Sequence, residues 1–382
     1  MKVKTYKTTL RKERKINICL VAPYIYSLFN KKCSVPFGGA EVQLYLLSKE
    51  FSRNNKINVN IITGNYNLKK ILIEYSNSIM IFSSLSLEIK RFALLKYYIK
   101  LFFTLIKVAP DIVIQRTGGM ETGICALYCN IFKKKFVFSI ADDDDVKKDK
   151  KIGIINNFYQ YGLKNADYII AQKIEQIKFL EKWKQKKINN IKVIKSGHII
   201  QDLNNMKKIY ILWVGRAIQW KRPELFLKLS KYFPDESFIM ICRKSFDDNY
   251  WKKLYLEAQK ITNLQFIEFV PFQKINEIFR NAKVFINTSL PREGFPNTFI
   301  QALMNKTPVI TLTVDPDNFL TINKCGFNCK NEFNKMKYFL NYMLKYKEQF
   351  KFYSNNSYDY VKKNHNIYTV SKEWIKLFET LT

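Results

Sequence analysis

Short apolar runs recur along this chain, most of them closed by a turn residue and followed by a stretch of helical periodicity. "INICLVAPY" (16–24) is the first, and "INVNIITG" (57–64), "PDIVIQR" (110–116), "KFVFSIADDDD" (135–145) and "ADYIIAQ" (166–172) repeat the theme. Between the first two, "GGAEVQLYLLSKEFSR" (38–53) opens on glycines and continues with helical spacing at Val42, Leu44, Leu46 and Leu47. The runs are continuous rather than alternating with a period of two. That pattern predicts parallel strands covered on both faces, and the helices between them predict β-α-β units in a doubly wound sheet.

The rhythm pauses at the polar, turn-rich "SGHIIQDLNNMKK" (196–208) and then restarts. "IYILWVGR" (209–216), "SFIMICRK" (237–244), "LQFIEFVP" (264–271), "AKVFINTS" (282–289) and "TPVITLTVD" (307–315) are strand-like, separated by helical stretches such as "RPELFLKLSKYF" (222–233) and "INEIFRNA" (275–282). The expectation is α/β: two Rossmann-like doubly wound domains in tandem, 1–200 and 201–365. A last helix in 366–382, around "TVSKEWIKLFETL", is expected to pack back on the first domain. Ligands in such sheets sit at the carboxyl ends of the strands, so two facing domains would leave a cleft with its chemistry just after the strands.

Composition narrows the partners. With 382 residues, 47% of them apolar, the chain can bury a substantial core in two or three domains. A formal charge of +32 points first to nucleic acid or an anionic membrane. Only 10 of the 64 basic residues are arginine, however, and no nucleic-acid module is recognisable. Sequence-specific readers favour the bidentate arginine fork, so nucleic acid is not an expected partner. Abundant Lys, Asn, Ile, Tyr and Phe together suit the codon bias of an AT-rich genome, which leaves the charge open to both a functional and a compositional origin.

Seven scattered cysteines, none in a C-x-x-C pair, suit free thiols in a reducing cytoplasm. His198 and His365 are too few and too far apart along the chain for a histidine metal site. The basic "MKVKTYKTTLRKERK" has no apolar core behind it and is not read as a secretory signal. No stretch reaches the ~18 apolar residues of a spanning helix. The expected location is cytoplasmic, with peripheral attachment open through "RFALLKYYIKLFFTLIKVAP" (91–110). There Phe92, Leu95, Tyr98, Ile99, Phe102, Phe103 and Ile106 make an apolar face interspersed with Lys96, Lys100 and Lys107. Such a face can lie on an anionic membrane or fill a domain core.

Candidate chemistry follows the second domain's strands. "WVGRAIQWKRPE" sets Arg216 and Lys221 where a strand turns into a helix, and two cations there can neutralise a diphosphate without metal. The alternative is a pair of solvated basic residues. "NTSLPREGFPNTFIQAL" follows another strand. Gly294 permits close backbone approach. Pro296 begins a helical turn, and Asn297 and Thr298 supply amides at a helix start, which attracts anions. Glu293 would be repelled by phosphate, so a sugar hydroxyl is its expected partner, and Gln301 could bridge a diol such as ribose. Against this stands a capped helix with an incidental acid.

In order, "GGAE", "GRAIQWKRPE" and "EGFPNTFIQAL" resemble the motifs of a retaining GT-B glycosyltransferase of the family 4 type, over roughly residues 16–382. The resemblance implies two Rossmann-like domains facing across a cleft, and transfer of a sugar from a nucleotide-sugar donor to a glycan or lipid-linked acceptor. A role in making a bacterial capsule, O-antigen or exopolysaccharide goes with it. It implies that Arg216 and Lys221 bind the donor diphosphate and that Glu293 contacts the donor sugar. The amides of Gly294, Phe295, Pro296, Asn297 and Thr298 would lie near sugar and phosphates, proline contributing no N–H, and Gly38 and Gly39 would form the first-domain loop. No cofactor and no required metal are implied.

Two positions depart from the family pattern. Gln301 stands where the second Glu of the motif belongs, and "DDDDV" stands where members often carry a His, with Asp142 most nearly aligned. Asp142 is expected to face the acceptor cleft, with the other acids exposed and their repulsion relieved by water or by Lys147 and Lys148. A weakly active or inactive nucleotide-sugar-binding protein, nucleotide-sugar hydrolysis and epimerisation remain alternatives. A dehydrogenase is disfavoured, because no G-x-G-x-x-G follows either domain's first strand.

Overall fold

The computed structural model describes residues 14–30, 33, 37–65, 72–76, 78–85, 91–147, 154–201, 203, 207–245 and 247–382. Lys148 and most of the basic N-terminal stretch lie outside them, as does the side chain of Phe92. All ten apolar runs form strands. The first sheet contains β1 (Ile16–Val21), β2 (Ile57–Gly64), β3 (Leu72–Ser76), β4 (Ile79–Leu85), β5 (Ile112–Arg116), β6 (Lys135–Ser139), β7 (Tyr168–Ala171) and β8 (Ile191–Val193). Their order is β3-β4-β2-β1-β5-β6-β7-β8. The second contains β9 (Tyr210–Arg216), β10 (Ser237–Arg243), β11 (Leu264–Ile267), β12 (Ala282–Asn287), β13 (Val309–Thr311) and β14 (Gly326–Asn328), ordered β11-β10-β9-β12-β13-β14. Both are doubly wound, with the strand order reversing beside the first strand of each domain.

The parallel expectation fails at one edge, where β3 runs antiparallel to β4. The run 135–145 is also shorter as a strand than its apolar start implied. β6 ends at Ser139 and the acids fold into a 3-10 turn, Asp143–Asp145, because adjacent carboxylates find backbone N–H donors there that a strand would not offer.

Each sheet is buried on both faces, which is why its strands read as unbroken apolar runs. One face of the first sheet packs Ile18, Leu20, Ile61 and Ile114 beneath the helix Gly39–Phe51 and the C-terminal helix Ile367–Leu381. Phe51 lies 6.4 Å from the Trp374 ring and 5.2 Å from Phe378, centroid to centroid. The other face sets Val113, Phe136 and Phe138 against the helices Arg91–Val108 and Met120–Ile131. The second sheet is enclosed in the same way.

The chain passes between domains twice, and the two passages touch. His198 N–H donates to His365 O at 2.7 Å and Ile367 N–H to His198 O at 2.9 Å, so the two histidines, remote in sequence, are neighbours in the fold. His365 Nδ1 stands 2.7 Å from the carbonyl of Ser196 and so carries the proton. Burial pushes His198 down to about 4 and His365 to about 3, which keeps both rings neutral. All seven cysteines are free thiols. Among the described residues no helix is long and apolar enough to cross a membrane.

Candidate active site between the two sheets

The strand-order reversals fall between β1 and β5 in one sheet and between β9 and β12 in the other, and loops leaving a reversal diverge to leave a crevice. In the second domain the crevice is cationic. β9 ends on Arg216 and β10 on Arg243, directly paired in register. Arg216 is exposed and makes no ion pair among the described residues. Arg243 is half-buried against Phe269, 4.6 Å from its ring centroid, and burial followed by the charge of Arg216 pulls its pKa down. Sequence reasoning missed Arg243. The available signal was that "IYILWVGR" and "SFIMICRK" place an arginine at the same point of adjacent strands.

After β9 a 3-10 turn, Gln219–Lys221, carries Lys221 back over the strand end. Its ammonium donates to Glu293 Oε1, which also accepts Ser289 Oγ–H at 3.0 Å. The side chains are 17% and 9% exposed, so the pair sits in a partly desolvated pocket. Backbone contacts fasten the two loops together. Leu290 N–H donates to Trp220 O at 2.8 Å. Thr288 Oγ–H reaches Lys221 O at 2.6 Å and itself accepts Trp213 Nε1–H at 3.0 Å. The cation expected at the diphosphate and the acid expected at the sugar are thus bonded to each other.

The segment after Glu293 runs against the first domain. A Cβ on Gly294 would come within 2.9 Å of Ala141 O and Gln176 Nε2, so only glycine fits without displacing the loop after β6. Phe295 is buried beside Phe319 and His365, with ring centroids at 4.8 and 4.7 Å. Its amide does not stand free but donates to Gln172 Oε1 at 3.2 Å. Pro296 begins the helix Asn297–Leu303. Asn297 spans the cleft: its Nδ2 donates to Gly39 O at 2.8 Å, and its Oδ1 accepts Gln43 Nε2–H at 2.8 Å. Thr298, in the first turn, lacks an intrahelical partner for its amide, as first-turn residues do. Gln301 is buried, its side chain hydrogen-bonded to no described residue. Gly38 donates its N–H to Glu41 Oε2 at 2.8 Å and starts the helix that bears Gly39.

The acids after β6 correct one expectation. Asp143 and Asp145 are buried and Asp144 is partly so. Their charges are relieved within the protein. Asp143 accepts from Lys173 at 2.9 Å and Gln176 at 3.2 Å, with Lys147 farther off at 3.9 Å. Asp144 pairs with Arg292 across the domain boundary. Asp145 accepts the backbone N–H groups of Gly118 (2.7 Å) and Ala141 (2.9 Å). Asp142 caps the turn by accepting Asp145 N–H at 3.2 Å. Burial first, then Asp145 and Asp144, push Asp142 up to about 7. Among the described residues no group of three or more His, Cys, Asp and Glu side chains could hold a metal ion.

Residues 196–338 match the family described as glycosyl transferases group 1. The match falls on the second domain. An uncharacterized glycosyltransferase of Methanocaldococcus jannaschii is 22% identical over 90% of this chain and 95% of its own. Sucrose-phosphate synthase of Thermosynechococcus elongatus superposes with a TM-score of 0.76 at 14% identity, over 96% of this chain and 99% of that one. HepE of Anabaena, solved in complex with UDP and glucose, gives 0.71 at 12% identity over 96% and 100%. The fold is therefore GT-B, and the chain is a glycosyltransferase.

The elevated Asp142 carries a stability signature. A carboxyl whose folded pKa lies above its unfolded value, about 4, costs stability in its charged form, fully so above the folded pKa. The cost fades as pH falls from about 7 toward the unfolded value. Asp142→Asn should therefore stabilise the glycosyltransferase clearly more at pH 8 than at pH 5, where only about a third of the cost is left, read by denaturant unfolding at the two pH values. An equal effect at both would contradict the assignment.

Proposed function

We propose that this glycosyltransferase moves a sugar, with retention of anomeric configuration, from a nucleotide-sugar donor to a glycan or lipid-linked acceptor in bacterial surface polysaccharide synthesis. The observation that carries the reading is the contact of Lys221 with Glu293 just beyond β9, which ends on Arg216, at the strand-order reversal of the second sheet, with Asn297 of the same segment bonded to Gly39 of the first domain. Departure of a nucleoside diphosphate builds negative charge on the leaving phosphate. Arg216 and Lys221, with Arg243 behind them, stabilise that charge. Glu293 turns to a donor sugar hydroxyl as Lys221 turns to phosphate. The amides of Gly294, Asn297 and Thr298 line the sugar and phosphate side, with Phe295 and Pro296 holding that backbone in place. Gly38 and Gly39 close the site from the first domain, Gln301 lies on the ribose side, and Asp142 faces the acceptor. The acceptor attacks from the face the diphosphate leaves, consistent with the oxocarbenium character of the sugar.

In this proposal protein cations neutralise the diphosphate, and no cofactor or metal is required. HepE, of like fold, was solved with UDP, which makes UDP the first nucleotide to try. Calorimetric titration of UDP, GDP and ADP with EDTA present should give binding of one of them. Lys221→Ala should weaken it about tenfold or more (about 1.4 kcal/mol). Binding that needs a divalent cation, or that ignores the lysine, would overturn the reading.

The acceptor class gives the helix Arg91–Val108 a use. Tyr97, Leu101, Leu105 and Val108 face the core, while Leu95 and Phe103 are each 63% exposed, with Ile99 and Ile106 beside them. Lys96 and Lys107 are exposed on the same helix. We assign this face to an anionic membrane that presents a lipid-linked acceptor. In sedimentation with vesicles, the protein should bind those containing phosphatidylglycerol and not neutral ones, and Leu95→Asp with Phe103→Asp should abolish pelleting. Pelleting that survives the double change removes this helix from the contact.

A further inference from the structure

The reversal of the first sheet, between β1 and β5, has a charged group of its own that the donor site does not use. β5 ends on Arg116, which is only 8% exposed. Its Nη1 donates to Ser139 Oγ at 3.2 Å and its Nη2 more weakly to Ser196 Oγ at 3.4 Å, while Nε is buried with no partner. A guanidinium has five N–H donors, so most of its capacity is unspent. Among the described residues Arg116 makes no ion pair; Asp145 and Glu41 favour its charge from farther off, and burial outweighs both in lowering it to about 10. Asp145 is itself held by backbone amides.

A desolvated guanidinium with no counter-charge in contact is costly and contributes nothing to packing that an apolar side chain could not. Its position supplies the reason to keep it, because the end of β5 is where a doubly wound sheet leaves a crevice for ligand. The next residue, Thr117, holds φ at 80°, a region that disfavours β-branched side chains and marks functional loops. A link also runs to the donor side. Ser196 Oγ accepts Gln172 Nε2–H at 3.0 Å, and Gln172 Oε1 accepts the Phe295 amide beside Glu293.

We propose that Arg116 is an oxyanion-binding residue on the acceptor side, holding a phosphate or carboxylate group of the acceptor in the crevice at the end of β5. Resting on the acceptor assignment of the first domain, the proposal makes the acceptor an anionic sugar derivative rather than a neutral one. Serine hydroxyls shared with the guanidinium can swing to the incoming oxygens, so the anion gains donors without a rearrangement of backbone.

The test titrates inorganic phosphate and glucuronate by calorimetry into the full-length protein with the donor side filled by UDP. The titration is repeated on Lys221→Ala, where anion binding at the donor site is weakened, with glucose as the neutral control. One of the two anions should bind and glucose should not, and which anion binds separates phosphate from carboxylate. Arg116→Gln should weaken that binding about tenfold or more (about 1.4 kcal/mol). Arg116→Lys, which keeps the charge and loses the fork, should fall between, and UDP affinity should be unchanged in both. Phosphate or glucuronate, whichever binds, should raise Tm for the wild type and Arg116→Lys but not for Arg116→Gln. The absence of anion binding, equal binding by wild type and Arg116→Gln, or loss of UDP affinity in step with the anion overturns the proposal. Failure of UDP to bind the wild type would instead sink the donor reading, and the Lys221→Ala titration would still decide on Arg116.

Discussion

The contact between Lys221 and Glu293 is the constraint around which the second domain's strand ends are arranged. The two residues come from loops 72 positions apart, and neither loop alone can hold a charge in a pocket this dry. Removing either partner leaves the other charge desolvated and unpaired, a state that costs several kcal/mol. Backbone bonds from Leu290 to Trp220 and the Trp213–Thr288–Lys221 chain keep the loops in register. In the proposed function a diphosphate offers Lys221 a stronger acceptor and a sugar hydroxyl offers Glu293 a neutral donor, so donor binding would exchange one satisfied arrangement for another.

That exchange takes place at a seam. Gly294 presses on the loop after β6, and the Phe295 amide goes to Gln172. Asn297 bonds Gly39 and Gln43, and Arg292 pairs with Asp144 while accepting the Asp143 amide through its carbonyl at 3.3 Å. Every one of these contacts joins the segment after β12 to the first domain. The residues flanking Glu293 are therefore positioned by the first domain as much as by their own sheet. A change on either side of the seam alters the geometry at Glu293.

Strands covered on both faces leave continuous apolar runs, which is why β1, β2, β5, β6, β7 and five strands of the second sheet were legible in the sequence. β8 and β14 are three residues long, and β3 with "LIEYS" carries an acid, so none yields a run of that kind. Arg216, Lys221, Glu293 and Gly294 could be picked out because they lie at the end of a strand or within a few residues after one. The burial of Asp143 and Asp145 could not be foreseen, because the partner Lys173 lies 30 positions away and the donors are largely backbone amides. Gln43 and Asn297, 254 positions apart, form a pair only once both domains are folded. Arg116 closes an apolar run and reads as a strand terminus until its burial and its unspent donors are seen together.

The most direct test of the exchange is UDP affinity in Glu293→Gln measured beside donor turnover in the same variant. Glutamine frees Lys221 and removes a negative charge beside the incoming phosphates, so UDP should bind at least as tightly as in the wild type while sugar transfer collapses. If UDP affinity and transfer fall together by the same factor, Glu293 serves uniform binding. Its contact with Lys221 would then be a fixed structural bond, and the exchange would be wrong.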